Sequence, residues 1–133
     1  MAIALVESNL GEYFSVKVGL ISPTDISSVS SDGLSYGLMQ MTLKTGQWLR
    51  PGTTQIELND PAVSIDLGAK YLKYLRTSMA DKTPEYTIRG YNGGPTWFQR
   101  QGAISNTARY WSKFLKALAQ VNAKFPDSSG GHI

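Results

Sequence analysis

The stretch "DPAVSIDLGAKYLKYLRTSM", residues 60–79, decides how the rest of the chain is read. Asp60 suits a helix N-cap, because its carboxylate can accept the unpaired N–H groups of a first turn. Pro61 suits the first helical position, where its fixed φ is an advantage and its missing N–H costs nothing. From there small and apolar residues recur at spacings of three and four: Ile65, Gly68, Ala69, Leu72, Leu75 and Met79. That period marks one face of a helix. The glycine and alanine on it predict a close crossing with another element.

Other helices are expected on both sides of this one. Residues 37–49 place Leu38, Met41, Thr45 and Trp48 on one face, and Arg50-Pro51-Gly52 ends the run. "TPE" at 83–85 opens a further helix, with Thr83 as cap and Pro84 in the first turn. It runs to about Tyr91 and is broken by "NGGP" at 92–95. The last helix is expected from about Thr107 to Lys124, with Tyr110, Trp111, Phe114, Leu118 and Val121 inward and Arg109, Lys113 and Lys116 as a basic strip. A short helix covers residues 2–10, with Gly11 as its stop. Residues 12–34 are rich in Ser, Gly and Asp and read as a long loop, with room for a small β-hairpin at "YFSVKVGLI" (13–21). Loops of this length are usually functional. The expected fold is therefore mostly α, or α+β if that hairpin forms. It has five or so helices in one domain over residues 1–125, followed by a flexible Ser/Gly tail at 126–133.

Bulk properties remove several function classes. At 133 residues the chain is long enough for a core without disulfides or metal. It has no cysteine and one histidine, His132, which excludes thiolate chemistry and leaves no material for a His-based triad or metal cluster. No cofactor or metal is expected. The net charge of +3 is a mild excess that suits a polyanionic partner such as an anionic cell-wall polymer. It falls short of the dense basic runs of a nucleic-acid binder, and the basic strip reads as a solvated helix face. No apolar run reaches membrane-spanning length. The N-terminus lacks the basic start of a signal peptide.

Four short stretches could carry chemistry. In "AIALVES" (2–8), Glu7 has Ile3, Ala4, Leu10 and Gly11 at helical neighbour positions, so it shares a face with small and apolar residues. It could be an exposed glutamate at a helix end, since Glu is seldom buried. It could also be a desolvated carboxyl whose raised pKa keeps it protonated as a general acid. In "SYGLMQM" (35–41), Met39 and Gln40 fall on a different face from Leu38 and Met41. They fit a core methionine and a surface amide, or the soft apolar contact and hydrogen bonding of a sugar cleft. In "GYNGGP" (90–95), a turn accounts for the glycines and proline, while Tyr91 and Asn92 also suit ring stacking and hydrogen bonding to carbohydrate. In "NTARYW" (106–111), Tyr110 fits a core aromatic first and a site residue second.

The order of these blocks is more specific than any one of them. Glu7-Ser8, then Gly37-Leu38-Met39-Gln40, then Asp60-Pro61 with Ile65, Gly68, Tyr71, Leu72 and Leu75, then Tyr91-Asn92 with Gly94-Pro95, then Thr107 with Tyr110 resemble the soluble-type lytic transglycosylase (SLT) domain. The resemblance spans residues 7–110. It implies a lysozyme-like fold and cleavage of the N-acetylmuramic acid–N-acetylglucosamine β-1,4 bond of peptidoglycan. It implies one catalytic carboxyl, which maps to Glu7 and acts as acid and then base while a 1,6-anhydro product forms. It also implies a cleft lined by Ser35, Met39, Gln40, Tyr91, Asn92 and Tyr110, with Tyr91 hydrogen-bonding Glu7. The partner would be the glycan strand of the cell wall or periplasm, met by a monomer or by a domain of a larger exported or phage-virion protein.

The chain departs from the family pattern at several points. Gly90 and Gly93 stand where alanine is common, Leu43 where proline is common, and Asn106-Thr107-Ala108 where Glu-Thr-Arg is common. The segment from Glu7 to Gly37 is also long. Two alternatives stay open. One is a goose-type-like muramidase of the same fold, which would need a carboxylate to position water; Asp25 and Asp32 are the nearest candidates. The other is a catalytically silent wall-binding or virion module.

Overall fold

The structure, a computed structural model, is described over residues 1–8 and 35–124. It is mostly α with one small antiparallel sheet, the composition expected of a lysozyme-like fold. The expected strand at 13–21, the stop at Gly11 and the tail at 126–133 lie outside the described residues. The chain forms two compact units: Met1 with Ile3–Lys70, and Ala2 with the residues from Tyr71 on.

In the first unit α1 (Ala2–Ser8) buries Ile3 and Ala4. Strands β1 (Ser35–Tyr36) and β2 (Met41–Thr42) pair antiparallel, Ser35 opposite Thr42 and Tyr36 opposite Met41. The helix expected from residue 37 begins only at Leu43, because Gly37 and Gln40 both have positive φ, 78° and 49°. Two left-handed residues cannot sit inside a right-handed helix. They make a turn instead, closed by the Gln40 N–H donating to Gly37 O at 3.1 Å. Helix α2 (Leu43–Leu49) is capped by Thr42, whose hydroxyl accepts the Thr45 N–H at 3.2 Å. Leu43 is thus a first helical residue, a position that suits proline equally well.

A short helix that the sequence pattern did not suggest, α3 (Gln55–Asn59), starts with a capping box between Thr54 and Glu57. Glu57 also pairs with Arg50 at 2.5 Å. Helix α4 (Pro61–Ser78) starts as expected, with Asp60 Oδ1 accepting from the Ala62 and Val63 N–H groups at 2.9 and 3.4 Å. Its inward face keeps Gly68, Leu75 and Met79 of the expected stripe but differs at Ile65 and Ala69. Ile65 is 52% exposed, whereas Ser64, Leu67 and Gly68 are buried. Gly68 does supply a close crossing, since a Cβ there would lie 2.6 Å from Met39 Cε.

In the second unit the end of α4 is capped by Lys82, whose ammonium donates to the carbonyls of Arg76, Thr77 and Met79. Helix α5 (Pro84–Gly93) is capped by Thr83 as expected and extends two residues past Tyr91. Gly94, with φ 87°, ends it by donating its N–H to Gly90 O at 2.7 Å. A 3₁₀ turn (Trp97–Gln99) leads into α6 (Gln101–Lys124), which starts six residues earlier than expected. Trp97 packs with Leu75 and Met79, and its Nε1–H donates to Tyr86 O at 3.2 Å. The buried face of α6 is Thr107, Tyr110, Phe114, Ala117 and Val121. Ala117 is therefore buried, and Trp111 and Leu118 are only half-buried.

The two glycines of α5 differ in what surrounds them. A Cβ on Gly93 would lie 2.5 Å from Thr107 Cγ2 and 3.0 Å from Trp97 Cβ, atoms held close to the backbone. A Cβ on Gly90 would meet the far ends of Leu75 and Met79 at 3.2 Å, and these can give way. Gly93→Ala should therefore cost about 1–3 kcal/mol, the usual range for overpacking. Gly90→Ala should stay within about 1 kcal/mol of the parent, because relief of the glycine helix penalty offsets the tighter packing. Urea unfolding of both variants checks this, and equal stabilities would refute it.

Candidate functional site

The residues singled out by sequence divide between the two units. In the first unit Glu7 lies in the last turn of α1, half-buried, beside Ser8, which is fully buried. The Ser8 hydroxyl sits 3.2 Å from Ala4 O and 2.9 Å from Leu38 O, one proton serving two acceptors. This ties the end of the helix bearing Glu7 to the turn at 37–40. The turn is fixed from its other side by the Met39 N–H donating to Ser64 Oγ at 3.0 Å. A Cβ on Gly37 would lie 2.1 Å from Leu58 O, so both the φ and the space at this position require glycine.

Met39 is 5% exposed and lies against Gly68, so packing is its observed role. Gln40 is half-buried, and its carboxamide Nε2 donates to Gly37 O at 2.9 Å. That bond spends one of its two amide protons on the turn. Ser35 pairs with Thr42 at the mouth of the same small sheet, half-buried.

The second unit holds a groove of about 630 Å³. Asn92 and Gly93 supply the end of α5, Arg100 the residue before α6, and Asn106, Thr107, Arg109, Tyr110 and Lys113 the outer turns of α6. Two of the three expected binding residues of this unit line the groove: Asn92, which is exposed, and Tyr110, which is 7% exposed. Tyr91 is not among the lining residues. It is half-buried, with its ring 5.5 Å from that of Tyr71. Burial first, and then the neighbouring Tyr74, raise the Tyr71 pKa above the ordinary phenol value. Among the described residues no group of three His, Asp or Glu side chains gathers as a metal site, and no helix is long and apolar enough to cross a membrane.

The sequence reading passed over Ser64 and Arg100 altogether, and treated Arg109 and Lys113 as a solvated face. A buried serine on an otherwise apolar helix face gives no periodic signal, because its value lies in a partner 25 residues away. The cations could have been noticed from a different count. Residues 71–124 contain nine Lys and Arg against two acids, Asp81 and Glu85.

In comparisons with known proteins, a family model described as the Transglycosylase SLT domain matches residues 1–125. No match is found among curated proteins or solved structures.

The turn that carries Met39 and Gln40 depends on Ser64. Ser64→Ala should leave the Met39 N–H without its acceptor and destabilise the chain by about 1–3 kcal/mol, the usual cost of orphaning a buried donor. Ser78→Ala, at an exposed position on the same helix, should be near neutral. Chemical denaturation of the two variants distinguishes them, and a silent Ser64→Ala would show that the bond does not fix the turn.

Proposed function

The chain belongs to the transglycosylase SLT domain family, and on that premise we propose that it cleaves the N-acetylmuramic acid–N-acetylglucosamine bond of peptidoglycan with Glu7 as acid and then base. The family acts on cell-wall peptidoglycan; the residue roles and the product are the proposal. In the first step the Glu7 carboxyl gives its proton to the glycosidic oxygen as the C1–O bond of the muramic residue breaks, releasing the 4-hydroxyl of N-acetylglucosamine. In the second step the carboxylate takes the proton of the muramoyl C6 hydroxyl as O6 bonds to C1. The 1,6-anhydro ring closes, Glu7 ends protonated as it began, and no water is consumed. The chemistry is general acid–base catalysis by one group, unlike the paired carboxylates of most glycosidases.

The observation that carries this reading is how the other described carboxylates of the first unit are used; Asp25 and Asp32, the candidates of the muramidase alternative, lie outside the described residues. Glu57 serves the capping box and pairs with Arg50. Asp60 caps α4. Asp66 pairs with Lys70 at 3.2 Å. Each has a structural assignment, and none shares a motif with Glu7. The buried Ser8 beside Glu7, held to Leu38 O, supports a fixed position for the end of that helix. Asn92, Tyr110 and Gln40 are assigned to binding the glycan; Ser35, Met39 and Tyr91 are assigned to the surroundings of the bound sugar.

Glu7→Gln keeps the shape of the side chain and removes its ability to give and recover a proton. It should leave folding unchanged and lower the rate of wall clearance by at least about a hundredfold, the low end of what an acid–base group supplies. Mass spectrometry of the parent digest should show muropeptides lighter by one water than those with a reducing end. Reducing-end muramic acid would move the assignment to the muramidase alternative. Undiminished clearance by Glu7→Gln would remove Glu7 from the chemistry.

A further inference from the structure

The cations of the second unit are not all used alike. Arg89 is a structural cation: it pairs with Glu85 at 2.7 Å and its side chain is 11% exposed. The groove cations are different. Arg100 donates to the Gly93 carbonyl and Arg109 donates to the Asn106 side-chain carbonyl, both neutral acceptors. Among the described residues no carboxylate lies within ion-pair distance of Arg100, Arg109 or Lys113. Neutral acceptors hold the two arginines without cancelling their charge. All three line the groove that also contains Asn92 and Tyr110, and among the described residues no acid lines it.

We propose that this groove is a carboxylate-binding site that recognises the peptide stems of its substrate, with Arg100, Arg109 and Lys113 as the binding residues. The proposal rests on the reading that peptidoglycan is the substrate. The glycan itself is uncharged apart from its stems, so the charge of these three cations has no counterpart on the sugars. The stems carry free carboxylates, and a guanidinium presents two parallel N–H donors that match a carboxylate's two oxygens. Lys113 adds a point charge one helical turn beyond Arg109.

The test is co-sedimentation of the folded chain with insoluble wall in three forms: intact, stripped of phosphate polymers by hydrofluoric acid, and stripped and then amidated with carbodiimide and ammonia. Binding should be equal for the first two and fall about tenfold for the third, the change expected on losing one charge-assisted hydrogen bond. Arg109→Gln/Lys113→Gln should bind the stripped wall as weakly as the parent binds the amidated wall. Asn106→Glu keeps every cation but gives Arg109 an internal carboxylate, and should weaken binding in the same sense. Lys116→Gln, on the same helix but outside the groove, should bind like the parent.

A loss already at the phosphate-stripping step would assign the groove to phosphate and overturn the proposal. So would indifference to amidation, or variants that bind the stripped wall like the parent. Product analysis of the same walls reports separately on the cleavage reaction. A failure of the carboxylate site would leave the Glu7 chemistry standing, and a failure of that chemistry would leave the binding result readable.

Discussion

One arginine organises the second unit. Arg89 is almost out of water, and it survives there because each face of the guanidinium has a partner. Nη1 donates to Glu85 at 2.7 Å, Nε to Thr107 Oγ1 at 3.1 Å and Nη2 to Ile104 O at 2.9 Å. Its carbon lies 3.8 Å above the centroid of the Trp97 ring. An isolated buried charge would be expensive, so this side chain is tolerable only when α5, the 3₁₀ turn and α6 are all in position at once. It therefore acts as a registration device. Thr107, which it grips, lines the groove, and Thr107 is also the residue that denies Gly93 a Cβ. The approach of α5 to α6, and with it the spacing between Asn92 and Tyr110, follows from that contact set.

The first unit is registered in a smaller way, by serines. Ser8 bonds forward to Leu38 O and Ser64 bonds back to the Met39 N–H, so the turn at 37–40 is held at consecutive residues from two helices. The hydroxyls are short and fully buried. Little side-chain entropy is lost in ordering them, and the backbone polar groups that a tight turn would otherwise strand are satisfied.

These polar registrations explain what the sequence made legible. Helix caps could be read directly, because Asp60-Pro61 and Thr83-Pro84 act on backbone within three residues of themselves. The helix at 37–42 was misread because Leu38 and Met41 have helical spacing, while the deciding facts, a left-handed Gly37 and a left-handed Gln40, depend on Leu58 O crowding Gly37 from 21 positions away. The start of the stripe on α4 was misassigned for a related reason. Apolar periodicity favoured Ile65, and the position actually buried beside it was a serine with a distant partner. Of the candidate site, the order of motifs was legible, and so were the core readings of Met39 and Tyr110. The gathering of Asn92 and Tyr110 with three cations in one groove was not, since it depends on which side of a helix meets which neighbour.

Net charge misled in a similar way. A value of +3 describes neither part of the chain, because residues 1–70 carry seven acids against four bases while residues 71–124 carry nine bases against two acids. What matters for recognition is which charges remain after the structural pairs are formed. Arg50, Lys70 and Arg89 are fixed by carboxylates and contribute little field beyond their partners. Arg100 and Arg109 are fixed by carbonyl oxygens, which orient a guanidinium but leave its charge intact. A carboxylate partner would have held each of them more tightly and discharged it in the same act. Where a fold orients a cation with a neutral acceptor instead, the full charge stays available to an anion arriving from solvent, and it does so from a side chain already held in place before binding.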